Sequence, residues 1–194
     1  MSLPSLVAAN RLAFLAREAE RTRTVPGDMA ELGVWKGGSA RTLVDAAPDK
    51  KLHLFDTFTG LPEPSEHDPH LTASMFNDAS EEAVRDALQG FNVEFYVGEF
   101  PGTLTPQLED TEFCLVHLDA DLYEPTKAAL EFFWPRLMPG GAVVLDDYNH
   151  PRCTGVNKAV DEFFRQEGVQ FVSLGKDGQA GTRVVKRCSD ESDE

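Results

Sequence analysis

The chain has 194 residues, enough for one domain with a real core, and its 41% hydrophobic and 26% charged residues are ordinary for a globular protein. Acids outnumber bases by 33 to 18, a net charge of −15, so the surface repels phosphate backbones and anionic lipid and neither nucleic acid nor a membrane is an expected partner. Cys114, Cys153 and Cys188 form no paired motif; the odd count implies no disulfide framework and a reduced, cytoplasmic setting.

Leu6, Leu12, Phe14, Leu15 and Ala19 recur at a rough helical period, predicting an amphipathic helix over residues 5–23 that Pro26-Gly27 stops. No basic segment precedes an apolar stretch here, so a signal peptide is not expected, and no apolar run approaches the length of a membrane span. Asp28–Leu32 reads as a first strand, Gly38–Ala46 as a helix and Lys51–Phe55 as a second strand. Residues 58–78 are rich in Pro, His, Asp and Ser without a period and read as a mobile loop. Glu81–Leu88 is a short helix, Val93–Val97 and Phe113–Leu118 are strands, and Thr126–Trp134 is a helix. Pro139-Gly140-Gly141 reads as a turn into a fifth strand, Ala142–Leu145, followed by a helix over Val156–Gln166. Val169–Leu174 and Thr182–Lys186 are two late strands joined around Gly175–Gly181. Residues 1–188 are expected to form one domain; Ser189–Glu194, with four carboxylates and no apolar residue, reads as a disordered tail.

Strand and helix in alternation imply a parallel sheet covered on both faces by right-handed crossovers. Two final strands without a helix between them add an antiparallel hairpin. The expectation is therefore an α/β sandwich of the class I methyltransferase type: Rossmann-like, mostly parallel, seven-stranded and closed by that hairpin.

Three stretches carry candidate chemistry. Glu31-Leu32-Gly33-Val34-Trp35-Lys36-Gly37-Gly38-Ser39 lies where the first strand turns into a helix. Its glycines admit close backbone approach to a ligand at a helix N-terminus, but their spacing fits neither the dinucleotide fingerprint nor a phosphate loop. A plain Gly-rich turn is the competing reading. Asp56, ending the second strand, is placed where a carboxylate holds an adenosine ribose. Glu31 is a candidate to orient the amino-acid end of a cofactor through bridging groups, and Trp35 either packs on the cofactor or joins the core.

Asp119 and Asp121 follow the fourth strand, and Asp146 and Asp147 the fifth. In an open parallel sheet both clusters fall on the C-terminal edge, where ligands bind. Carboxylates converging there repel one another unless a cation lies between them, and all-oxygen ligation favours Mg²⁺ or Ca²⁺ over zinc. A single such Asp more often caps a helix; two clusters on adjacent strands favour the metal. His150 is a candidate base or substrate contact, against the reading of a loop histidine facing water. His53 and His117 lie in strands and are expected to be packed or hydrogen-bonded; Phe132, Phe133 and Trp134 read as core.

Across ELGVWKGGSA, LFDTFTGLPEP, YVGEFPGTL, VHLDADLYEPTKAAL and GGAVVLDDYNHPRCTGVNKAVDEF the chain resembles the macrocin O-methyltransferase family, which methylates sugar hydroxyls on antibiotics. The resemblance implies S-adenosylmethionine and Mg²⁺ as cofactors. It implies Asp119, Asp146 and Asp147 as metal ligands, Asp121 as general base, and Asp56 on the ribose. Gly33 and Gly37 would pass under the methionine end. Ser39, Thr57, Phe58, Gly98 and Asp119 are further cofactor-binding candidates in the matching stretches. The antibiotic enzymes carry a longer N-terminal region serving oligomer and acceptor site, so acceptor and assembly stay open, with a homo-oligomer one option. The expected reaction is methyl transfer to a hydroxyl of a small molecule such as a sugar. Alternatives are a catechol-type acceptor and a cofactor-binding module without turnover; a nicotinamide dehydrogenase is disfavoured by the glycine spacing and the closing hairpin.

Overall fold

Five short segments lie side by side as parallel strands in the computed structural model, which describes residues 3–167, 172–173 and 183–186. They are β1 (Asp28–Leu32), β2 (Leu52–Asp56), β3 (Val93–Val97), β4 (Phe113–Leu118) and β5 (Leu137–Leu145), in the order β3-β2-β1-β4-β5. Past β5 the backbone of β6 (Val172–Ser173) and β7 (Arg183–Lys186) pairs antiparallel, with β7 next to β5. The connection around Gly175–Gly181, Cys188 and the acidic segment 189–194 lie outside the described residues.

Side chains alternate across the sheet, so each strand feeds two cores. Met29, Leu54 and Val144 face α1 (Ala9–Thr22), α2 (Gly38–Ala46) and α3 (Glu81–Ala87) through Leu15, Leu43 and Val84. Ala30, Phe55 and Val143 face α4 (Pro106–Glu109), α5 (Tyr123–Phe133) and α6 (Thr154–Glu167) through Leu108, Leu130 and Val160. Central β4 is buried along its whole length, as a parallel strand with both faces covered should be. Phe133 anchors the second core, its ring against Phe55, Phe100 and Phe113; truncation to Ala there costs about 3–5 kcal/mol.

Besides the unexpected short α4 and small shifts of element ends, four features depart from expectation. The first helix begins at Ala9, and Ser5–Val7 lie outside it. Helix α5 begins at Tyr123, because Pro125 sits in the first turn, where no N–H is needed for the helix ladder. Pro139-Gly140-Gly141 is no turn: it lies inside β5, whose pairing with β4 shifts register between Phe113 and Leu115, and Gly140 takes φ +82°. Segment 58–78 is tied to the body. Asp68 is 1% exposed; its Oδ1 accepts from the Tyr123 N–H at 3.0 Å and its Oδ2 from Ser65. Leu71 is buried, and the Thr154 hydroxyl donates to the His67 carbonyl. A polar composition hid these anchors.

Candidate active site

The strand ends meet through backbone bonds. Gly33 N–H donates to Phe55, Asp119 N–H to Leu32, Asp146 N–H to Leu118 and Gly98 N–H to Asp56. These bonds place the first-turn glycine and both acid clusters on one edge, over which a single cleft opens. It is lined by Gly33, Trp35 and Ser39 from the first turn, Asp56 and Thr57 after β2, and Gly98 after β3. Asp119 and Asp121 after β4 and Asp146 and Asp147 after β5 complete the wall.

Gly33 is required by proximity. A Cβ there would lie 1.9 Å from the Asp119 carbonyl oxygen, and φ is +89°. Thus β1 and β4 approach at the cleft floor only without a side chain. Asp56 has a more structural task than the sequence suggested. Its Oδ2 accepts from Val34 N–H at 2.6 Å and Trp35 N–H at 2.8 Å, and its Oδ1 from Phe58 N–H at 2.7 Å. A carboxylate offers about four acceptor positions, so roughly one is left for a ligand hydroxyl rather than the two needed to hold both ribose oxygens.

Gly37, Phe58, Glu31 and His150 stand apart from the cleft wall. Gly37 caps α2 at φ +82° and faces Val84 and Leu3. Phe58 packs in the first core beside Phe95. Glu31 is fully buried, its Oε1 2.9 Å from His117 Nδ1 and its Oε2 without a partner among the described residues. His53 is held between Asp28 and the Tyr96 hydroxyl, as expected for a packed strand histidine. Trp35 lines the cleft, and its indole N–H donates to Asp78 at 2.8 Å. His150 also lies off the wall, with Nδ1 3.4 Å from Cys153 Sγ.

The acids converge. Asp119, Asp146 and Asp147 each present an oxygen within 4.8 Å of the others. Burial holds the Asp119 carboxyl well above the usual carboxylate range, and the charges of Asp146, Asp147, Asp121 and Glu31 push it further. Burial likewise raises Asp121, helped by the charge of Asp147 and a hydrogen bond with it. Asp146 is raised by burial and Asp147 but opposed by His117, Arg11 and His150. Arg11 Nη1 lies 2.7 Å from Asp146 Oδ2, whereas Asp146 Oδ1 is buried without a partner among the described residues. Oxygen donors, crowded negative charge and an orphaned carboxylate oxygen fit a hard divalent cation.

Sequence reasoning missed the wall built by Ser5, Leu6, Val7 and Arg11, and also Glu99 and Phe100. Nothing in the spacing of the first helix marked Arg11; only the fold brings it to β5.

The sequence pattern of the macrocin-O-methyltransferase (TylF) family matches residues 4–174. An 8-demethyl-8-(2,3-dimethoxy-alpha-L-rhamnosyl)-tetracenomycin-C 4'-O-methyltransferase from Streptomyces olivaceus is 35% identical over 66% of this chain and 56% of its own. A mycinamicin III 3''-O-methyltransferase from Micromonospora griseorubida is 31% identical over 79% of this chain and 67% of its own. The chain thus spans between 56% and 67% of the length of these two relatives. The solved O-methyltransferase NovP superposes with TM-score 0.77 at 25% identity, over 95% of this chain and 82% of that one.

Proposed function

Since the chain belongs to the macrocin O-methyltransferase family, we propose that it transfers a methyl group from S-adenosylmethionine to a hydroxyl of a sugar-bearing or natural-product small molecule, with Mg²⁺ held by Asp119, Asp146 and Asp147. The observation that carries this reading is one cleft lined by the Gly-rich first turn at one side and the acid cluster at the other. The antiparallel pair β6–β7 supports reading the sheet as the seven-stranded class I sandwich. The names of the relatives, which specify sugar and antibiotic hydroxyls, favour such an acceptor over a catechol.

S-adenosylmethionine supplies a methyl group on a positively charged sulfur, so the leaving group needs no activation. Mg²⁺, when bound, neutralises the carboxylates and makes a nearby hydroxyl more acidic. The chain does the rest. Gly33 and the first-turn backbone form the cofactor floor, and Asp56 fixes that turn by accepting from Val34 and Trp35. Ser5–Val7 and Phe100 narrow the cleft against water. Asp121 lines it with a carboxylate that, beside a bound cation, can take the hydroxyl proton at a side-chain oxygen. His150, off the wall, is the weaker candidate for that task.

Mass spectrometry of glycosides incubated with S-adenosylmethionine and Mg²⁺ tests the proposal. Gain of one methyl, abolished by chelator, supports it; full transfer after exhaustive chelation removes the metal from the account.

A further inference from the structure

Beyond β5 the chain makes two consecutive four-residue turns that share His150. His150 N–H donates to the Asp147 carbonyl at 3.0 Å, and Cys153 N–H to the His150 carbonyl at 3.2 Å. Residues three apart in such turns share one face. Asn149, at φ +69°, is clamped by its N–H on Asn157 Oδ1 at 2.6 Å, and the Cys153 carbonyl accepts from Asn157 N–H as α6 begins. The outcome is a fixed spacing Asp-x-x-His-x-x-Cys whose ligand atoms all lie within 4.8 Å of one another.

Cys153 is 2% exposed, yet its sulfur has polar neighbours: His150 Nδ1 at 3.4 Å and Asp121 Oδ1 at 3.8 Å. A structural cysteine needs only apolar contacts. Sulfur and imidazole nitrogen bound tetrahedrally to Zn²⁺ at ordinary lengths stand about 3.5 Å apart. The observed separation matches that edge, and ligation would replace the bond that Nδ1 accepts from Arg152 N–H at 3.3 Å.

We propose that Asp147, His150 and Cys153 form a second cation site, selective for a thiophilic divalent ion of the Zn²⁺ type, beside the Asp119–Asp146–Asp147 set and sharing Asp147 with it. Thiolate and imidazole donors favour such an ion over Mg²⁺, as the all-oxygen set favours Mg²⁺ over it. Binding replaces the thiol proton, which leaves to solvent, by a metal–sulfur bond; no electron moves. Three protein ligands leave a fourth position for water. Because Asp147 belongs to both sets, the soft ion competes for a ligand of the hard one and weakens Mg²⁺ binding.

The site stands without the methyltransferase reading, and its test needs no turnover. The intact protein, in excess Mg²⁺, is titrated with Co²⁺ and the near-ultraviolet thiolate-to-cobalt absorption is followed. The expected result is a band that saturates at one equivalent, is lost in both Cys153→Ala and Cys153→Ser, and persists in Cys114→Ala. His150→Ala should weaken Co²⁺ binding at least ~10-fold, since even outer partners of metal ligands are worth that much. No band in the wild-type protein, or a band that survives Cys153→Ala, overturns the proposal. If the band is absent while methyl transfer proceeds, only this site is wrong; if the band forms while S-adenosylmethionine fails to bind, only the methyltransferase reading is.

Discussion

Arg11 reaches from the first helix to within 2.7 Å of Asp146 at the end of the fifth strand, and the two side chains are only 15% and 5% exposed. The pair puts one positive charge against a cluster of carboxylates and pins the N-terminal wall of the cleft to its floor. Removing one partner of a buried pair leaves the other uncompensated. Arg11→Ala should cost about 3 kcal/mol in urea unfolding without metal, less where Asp146 takes up a proton. Mg²⁺ should restore part of the loss. A change below ~0.5 kcal/mol, the range of ordinary surface substitutions, would show that the pair does not hold the wall.

Gly155→Ala probes the anchoring of segment 58–78. The added Cβ would fall 1.9 Å from Asp68 Oδ1, so Asp68 must leave its place against Tyr123. Overpacking of this kind costs about 1–3 kcal/mol. Limited proteolysis should then cut near Ser65–Leu71 much faster than in the wild type. Unchanged cleavage would mean that the segment is held elsewhere.

Asp56→Ala removes the acceptor for three backbone N–H groups. It should lower stability by about 1–3 kcal/mol without any ligand and also weaken S-adenosylmethionine binding, because the first turn loses its brace. Calorimetry and thermal melts separate the two effects. A variant that binds weakly with unaltered stability would restore a role confined to the ribose.

The acid cluster makes a signed prediction about pH. Burial and neighbouring charge hold the folded proton affinity of Asp119 and Asp121 above that of the unfolded chain. Between those two values the folded state binds more protons, so stability falls as pH rises through the interval. A divalent cation supplies the missing positive charge only to deprotonated ligands. Mg²⁺ should therefore raise the melting temperature more at about pH 8 than at about pH 5, and Asp146→Asn should remove most of the difference. Equal shifts at both values would argue against binding at these carboxylates.

The parallel strands were legible because each is a short segment with an apolar centre or alternation, set between helical segments and turn residues; β1, β3 and β4 form where the pattern placed them. The acids at the ends of β4 and β5 were legible for the same reason, since topology alone sends them to one edge. Asp56 ends β2 at the cleft, but its bonds were not legible, because the sequence does not reveal that Val34, Trp35 and Phe58 turn their N–H groups toward it. Arg11, Asp68 and the bulge at Gly140 were not legible. Each depends on a contact between segments far apart in the chain: Arg11 with Asp146, Asp68 with Tyr123, and the strand around Gly140 with β4. Local periodicity carries no trace of such partners.

Titration calorimetry of the intact protein with S-adenosylmethionine, and in parallel with NADH, tests the central claim most directly. The account predicts one molecule of S-adenosylmethionine bound per chain, with affinity reduced in Asp56→Ala, and no heat from NADH. Binding of NADH with none of S-adenosylmethionine would contradict it.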